Sequence, residues 1–333
     1  MPTIAVFGSG GWGTAVAVHL ARKAGSAVRL WAARSETATR LIAARENQSQ
    51  LPGVAIPEAV RVTADPAEAA AGADGWVTAV PTAFLRPTLA RLTAVYRPGT
   101  PVVSLTKGIE HDTFRRPSEI VTEVLGAASV AVLSGPSHAE EVGRGLPTSV
   151  AVACADAAAA AWVQETFGTD RFRVYTNADL VGVELAGALK NVLGIAAGVC
   201  DGLGFGDNAK AALLTRGLVE MTRFGVAHGA DPATFAGLAG LGDLIATCFS
   251  AHGRNRRVGE RLAKGEPLAA VTAGPQIAEG VYTSQSVYDR TQRMGIETPI
   301  MTGVYEVIHR GRPPLAAVQA LLARSQKREN ATP

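Results

Sequence analysis

A chain of 333 residues exceeds one ordinary domain and is expected to divide into two. Apolar residues make up 47% of it and aromatics only 5%, so alanine, valine and leucine must fill its cores. A net charge of +3 without an aromatic-interleaved basic run argues against nucleic acid as a partner, and three scattered cysteines with no CxxC argue against a disulfide framework and fit a reducing cytosol.

The first element is a short apolar strand, Ile4–Phe7, that runs into Gly8-x-Gly10-x-x-Gly13 and then at once into helix-like sequence. A dinucleotide-binding βα turn needs that order. Gly8 lets the chain turn tightly, Gly10 lets backbone approach a pyrophosphate, and Gly13 lets the helix lie on the strand. The helix N-terminus then offers free N–H groups and a partial positive charge. A GxGxxG is weak by itself in a chain with 36 glycines, and its place between strand and helix strengthens it. A ligand-free glycine turn and a site for an adenosyl methyl donor are the alternatives. The N-terminus reads as strand and phosphate loop rather than signal peptide.

The second strand is Val28–Trp31, and its tip reads Ala32-Ala33-Arg34-Ser35. NAD sites usually carry an acid there for the ribose 2′-hydroxyl. None stands here, and Glu36 is expected to open a helix. Arg34 suits a 2′-phosphate, which favours NADP and leaves NAD possible; the bland alternative is a solvated surface arginine. Further strands are expected at Val60–Thr63, Trp76–Val80, Val102–Leu105, Val130–Leu133, Ser149–Ala153 and Phe172–Tyr175. Several are nearly continuous apolar runs, as in parallel strands buried on both faces. Alanine-rich helical segments such as Pro66–Ala71 and Ala155–Thr166 separate them. The rhythm predicts a doubly wound parallel α/β sheet over residues 1–180.

Two polar islands stand at strand ends, where ligands of such sheets bind. Ser104-Leu-Thr106-Lys107-Gly108 directs Lys107 toward an anion or leaves it as a loop lysine. Ser134-Gly-Pro-Ser137-His138-Ala-Glu140-Glu141 offers backbone N–H groups and hydroxyls. His138 reads as a helix cap or surface group rather than a catalyst.

After residue 180 no convincing strand appears, and an all-helical domain is expected over 181–325, with a frayed tail at 326–333. Lys190 lies in a small-residue apolar helix at the junction. Burial there lowers its pKa and suits it to donate a proton to a ketone or take one from a hydroxyl, unless it snorkels to solvent. A helix over Asn208–Ala227 places Leu214, Leu218, Met221 and Gly225 on one side. Asp231-Pro232 starts the next helix. Asp243 stands alone in the glycine-rich Gly237–Leu244, as a partner for Lys190 or a helix N-cap. Arg254 and Asn255 suit a phosphate grip. Helices are also expected near 255–264, 284–294 and 315–325. No stretch of about 20 apolar residues lacks charge or glycine breaks, so no membrane span is expected. These polar islands contain no metal-ligand spacing, no Ser-His-Asp arrangement and no Walker loop. A small phosphorylated or carboxylated substrate between two closely packed domains follows.

These motifs in this order resemble the bacterial-type NAD(P)-dependent glycerol-3-phosphate dehydrogenases nearly end to end. They are Gly8–Ala15, Leu51–Pro57, Thr106–Glu110, Ser134–Glu141, Ala188–Val192, Gly198–Asn208, Gly237–Leu244 and Arg254–Arg257. The resemblance implies a Rossmann domain followed by a helical domain of the 6-phosphogluconate dehydrogenase type. It implies reversible reduction of dihydroxyacetone phosphate to sn-glycerol 3-phosphate for phospholipid synthesis, by a cytoplasmic homodimer. Lys190 would then be the proton donor or acceptor, Lys107 would bind substrate beside the nicotinamide, and Asp243 would support both. Gly135, Ser137, Gly253, Arg254 and Asn255 would hold substrate. Gly11, Trp12, Arg34, Ala139, Ile277 and Glu279 would line the cofactor site, with Lys107 and Arg254 also reaching it. Gly11 and Gly253 depart from the family, which often has serine at both; weaker affinity is the expected consequence. A related reductase acting on another small keto or hydroxy acid, and a non-catalytic dinucleotide sensor, are the rival readings.

Overall fold

The structure, a computed structural model, describes residues 2–329 except 24, 252, 274–276 and 327. Most of the tail expected to fray therefore lies outside the described residues. Ten strands form: β1 (Thr3–Phe7), β2 (Ala27–Trp31), β3 (Glu46–Asn47), β4 (Leu51–Ala55), β5 (Val60–Thr63), β6 (Gly75–Thr78), β7 (Val102–Ser104), β8 (Val130–Ser134), β9 (Thr148–Ala153) and β10 (Phe172–Asn177). Eight of them make one sheet in the order β10-β9-β8-β7-β6-β1-β2-β5, and β3 pairs with β4 apart from it. The chain order reverses at β1, so a crevice opens where the strands on its two sides end. The registers Phe7↔Trp31, Phe7↔Thr78 and Thr78↔Ser104 set those ends level.

The sheet departs from the all-parallel expectation at one ladder. β9 runs antiparallel to β8, and β10 follows β9 in parallel. Residues 135–147 join β8 to β9, and α6 takes six of them.

Helices α1 (Gly11–Ala21), α2 (Ser35–Ala44), α3 (Pro66–Ala70), α4 (Thr82–Ala90), α5 (Pro117–Leu125), α6 (Ala139–Arg144) and α7 (Ala157–Phe167) complete the first part. The scarce large aromatics concentrate on one face of the sheet. Phe7 packs on Trp31 and Trp76 with centroids 5.9 and 4.3 Å apart, and Tyr96 meets Trp76 edge-on at 5.0 Å. The opposite face buries aliphatic side chains such as Ile4, Val6, Val16 and Leu30.

Beyond Asn177 the described residues contain no strand. The helices are α8 (Leu180–Gly202), α9 (Asp207–Val226), α10 (Pro232–Ala236), a π-helical turn (Leu238–Gly242), α11 (Asp243–Phe249), α12 (Arg254–Ala263), α13 (Leu268–Val271), α14 (Glu279–Met294), α15 (Pro299–His309) and α16 (Pro314–Leu322). Asp231 caps α10 as expected, its side chain accepting from the Ala233 N–H. α8 is long and apolar enough by composition to cross a membrane, with mean hydropathy 1.5, but 89% of that window is buried inside the protein. It is the core around which the other helices pack.

The closest of those packings is α8 against α12. Gly194, Gly198 and Gly202 follow one another every four residues along α8, and Gly259 faces them from α12. A Cβ at Gly198 would stand 1.8 Å from the Arg256 carbonyl oxygen, and one at Gly259 would stand 1.9 Å from that of Ile195. The two backbones therefore touch. Asp201 of α8 locks the contact by pairing with Arg256 and with Lys210 of α9. Gly198→Ala is expected to lower stability by about 3 kcal/mol through overpacking, seen as a depressed thermal unfolding midpoint. Gly303→Ala, where a Cβ meets nothing within 4 Å, should leave the midpoint unchanged or raise it.

Candidate active site

The site begins at the glycine turn. Gly8 has φ +120°, a conformation open to glycine, and a Cβ on Gly13 would lie 1.9 Å from the Gly8 carbonyl oxygen. α1 therefore starts directly on the end of β1, with Gly10 at its N-cap and no side chain capping it. The Trp12 indole Nε1 is buried and has no acceptor among the described residues. Open N–H groups at a helix start, together with an orphaned buried N–H beside them, fit the pyrophosphate of a dinucleotide. The Gly11 N–H is met by Gln50 Oε1 at 3.2 Å.

Arg34 is exposed at the N-terminus of α2 and faces an open depression of about 540 Å³, which Arg40 and Thr37 also line. A second cation missed by sequence reasoning stands at the same strand tip. The Arg91 guanidinium covers the Trp31 ring at 5.3 Å and reaches the Ala33 carbonyl at 3.4 Å.

At the neighbouring strand ends the expected lysines converge on one carboxylate. Lys190 Nζ, from the middle of α8, donates to Asp243 Oδ1 at 2.7 Å. Lys107 Nζ, from the loop after β7, donates to Asp243 Oδ2 at 2.7 Å and to the Gly135 carbonyl at 2.9 Å. Ser137 Oγ lies 3.4 Å from the same Nζ and donates to the Gly135 carbonyl at 2.8 Å. Asp243 opens α11 directly after the π-helical turn, with its carboxylate occupied by the lysines; Gly242 takes the N-cap position. Thr247, one turn further along α11, accepts from Lys190 at 2.8 Å. Its signal was the four-residue spacing from Asp243, which places both on one helix face.

A chain of amides continues from Lys190. Asn191 Nδ2 donates to the Lys107 carbonyl at 3.0 Å, Asn255 Nδ2 donates to Asn191 Oδ1 at 3.0 Å, and the Gly280 N–H donates to Asn255 Oδ1 at 3.0 Å. Asn255 is thus tied at both ends of its amide and keeps one N–H for a ligand. Glu279, at the start of α14, accepts from the Thr82 N–H at 2.8 Å, across to the first part of the chain. Arg254 is exposed, its guanidinium 3.4 Å from the Ile277 carbonyl. Ala139 begins α6 beside Ser137. His138 sits at the N-cap of α6 but caps nothing. Its ring meets the Ala246 carbonyl at 3.3 Å, so it is a half-buried contact to α11 instead of the cap or surface group expected.

Burial dominates the electrostatics. It lowers the Lys190 pKa to about 8, against the pull of the Asp243 charge, and the Lys107 charge lowers it further. Burial pushes the Asp243 pKa up, but the two lysines outweigh it and hold the carboxyl below its usual value. Burial also raises Glu279.

A family model described as the N-terminus of NAD-dependent glycerol-3-phosphate dehydrogenase matches residues 3–160, and one described as its C-terminus matches residues 179–319. The chain belongs to this family. A "Glycerol-3-phosphate dehydrogenase [NAD(P)+] 2" of Salinibacter ruber is 49% identical over 99% of this chain and 97% of its own length. A "Glycerol-3-phosphate dehydrogenase [NAD(P)+]" of Streptomyces avermitilis is 48% identical over 98% and 97%. The crystal structure of a glycerol-3-phosphate dehydrogenase from Coxiella burnetii superposes with a TM-score of 0.93 at 39% identity, over 97% of this chain and 99% of that one.

Gly11 and Gly253 both stand against neighbouring backbone. A Cβ on Gly11 would stand 2.6 Å from the Gln50 carbonyl oxygen, and one on Gly253 would stand 2.9 Å from that of Thr247. Serine at either place requires neighbouring backbone to move.

Asp243→Asn removes the charge that upholds protonated Lys190. The Lys190 titration midpoint, followed by NMR of ¹⁵N-lysine-labelled protein, should fall further below about 8. A midpoint that stays or rises would show that Asp243 does not govern that proton.

Proposed function

We propose that this chain interconverts dihydroxyacetone phosphate and sn-glycerol 3-phosphate with NAD(P)H, through Lys190 as proton donor and acceptor. The observation that carries the reading is a buried ammonium of pKa about 8, held at 2.7 Å by a buried carboxylate at the end of the sheet crevice. The nicotinamide, when bound, supplies the hydride chemistry. Gly8, Gly10, Gly11, Trp12 and Gly13 hold its pyrophosphate, and Ala139, Ile277 and Glu279 line its path.

Lys190 holds a proton at Nζ and delivers it to the ketone oxygen in reduction. In the reverse direction the neutral amine takes the proton of the hydroxyl. Asp243 and Thr247 aim that amine. Lys107 holds the substrate oxygens from the opposite side, with Gly135 and Ser137. Arg254, Asn255 and Gly253 grip the phosphate. A pKa near 8 leaves Lys190 mostly protonated at neutral pH, the form that reduction consumes. This direction supplies glycerol 3-phosphate for phospholipid synthesis.

NADP is the preferred cofactor in this reading, with NAD possible. The support is the absence of an acid at the tip of β2 and the presence of Arg34, with Arg91 close by. A cytoplasmic homodimer completes it; three unpaired cysteines, all buried, agree with a reducing compartment.

Lys190→Ala should cut kcat for reduction by two to four orders of magnitude, roughly the share of a positioned acid, and leave the NADPH dissociation constant unchanged. Wild-type turnover in that variant would refute the role. Arg34→Ala should weaken NADPH about tenfold or more and NADH hardly at all, measured by fluorescence titration of both. Equal losses would separate Arg34 from the 2′-phosphate.

A further inference from the structure

A second cationic pocket opens on another side of the junction, where residues 113–116 meet the start of α8, the loop after α9, and α14. It encloses about 230 Å³. Arg115, Arg116, His228 and Arg290 line it, Phe114 and Leu185 form apolar walls, and Glu119 is the one acid among the described lining residues.

The basic groups are not equivalent. Arg115 is paired with Glu119 and Glu123 at 3.6 and 2.7 Å. Arg116 is paired with Glu119 and Glu184 at 3.2 and 2.8 Å. Arg290 has no carboxylate partner among the described residues. Its guanidinium lies 5.0 Å over the Phe114 ring, and its Nε donates to His228 Nε2 at 3.2 Å. Burial lowers the His228 pKa. Its Nδ1 donates to the Phe224 carbonyl at 2.7 Å, which leaves Nε2 to accept from Arg290. The His228 ring is stacked with those of Phe224 and Phe114 at 4.4 and 5.3 Å. The guanidinium is therefore fixed in orientation while both Nη groups donate to nothing among the described residues.

The wall beneath it is strained. Phe114 has φ +59°, the left-handed region that a bulky residue avoids. Its N–H donates to the Glu110 carbonyl at 3.0 Å, and the Glu110 N–H donates to the Arg115 carbonyl at 2.9 Å, which closes the turn. Strain held this way sets the aromatic face under Arg290.

We infer that this pocket binds a small oxyanion of the phosphate class, gripped by the free Nη donors of Arg290. A planar fork with two open donors matches two oxygens of one phosphate. The volume is below the roughly 300–1,000 Å³ of pockets for drug-sized ligands and suits inorganic phosphate or a phosphate on a short carbon stub. The site bears on the lysine pair through two paths. The segment from β7 to α5 carries Lys107 near one end and Phe114–Arg116 at the other. Arg116 holds Glu184, which shares α8 with Lys190. An anion here modulates turnover as an effector at a distance from the substrate.

The probe is inorganic phosphate, titrated calorimetrically into the full chain at ionic strength matched with chloride. Binding should persist in Arg254→Ala, which disables the phosphate grip of the main site, and weaken about tenfold or more in Arg290→Met. Arg290→Gln, which keeps N–H donors and drops the charge, should weaken it as well and guards against a folding defect in the first variant. Wild-type affinity in both Arg290 variants, or loss of all phosphate binding in Arg254→Ala, overturns the site. These binding results stand whether or not triose phosphate is the substrate. In turnover assays phosphate should add a component not competitive with substrate, absent from Arg290→Met; binding with no such component overturns the link to Lys107.

Discussion

One carboxylate held between two ammonium groups organises the molecule. Asp243 is buried, 2% exposed, and by itself would be too costly to keep ionised there. Lys190 and Lys107 meet that cost from opposite sides, and in doing so they join three elements distant in sequence. Lys107 belongs to the loop after β7, Lys190 to the central helix and Asp243 to α11, so this one contact fastens the two parts of the chain together. The charges do not cancel. Two cations around one anion leave a net positive charge in a buried site.

The amide chain makes the fastening directional. Asn191 and Asn255 have no formal charge and no freedom to spare, because each amide is committed to a specific backbone or side-chain partner. A buried amide that slipped would leave donors and acceptors unpaired, at about 1–3 kcal/mol for each group. The chain from the Lys107 carbonyl to the Gly280 N–H therefore fixes the register of α8, α12 and α14 against the lysine loop. Glu279 repeats the device one residue away, reaching to the Thr82 N–H.

Much of this was legible in the residues, and the failures have physical causes. The buried strands announce themselves as apolar runs, yet an apolar run carries no direction, so nothing in the sequence of β9 marks its reversal. β3 and β4 are short, and Pro52 and Gly53 break their pattern. α15 was overlooked although Pro299 opens it and residues 300, 301, 304, 305 and 308 give it an apolar face. Lys107, Lys190 and Asp243 stood out as charges in apolar surroundings. The sharing of Asp243 by Lys107 did not, since 136 residues separate them. Thr247 and Asn191 were passed over because neutral polar side chains in a helix look ordinary until their partners are known. Arg91 gave no sign at all: its place beside Ala33 comes from how α4 packs on the sheet.

The glycine seam between α8 and α12 has a mechanical consequence. Backbones in direct contact leave no layer of side chains to shear, so these two helices move as one solid piece. That piece carries both Lys190 and the Arg254–Asn255 pair. The span from Lys190 to the Arg254–Asn255 pair is thereby a fixed gauge. A displacement of one part of the chain against the other would change the gap between this gauge and the glycine turn of the sheet, and leave the spacing within the gauge as it is.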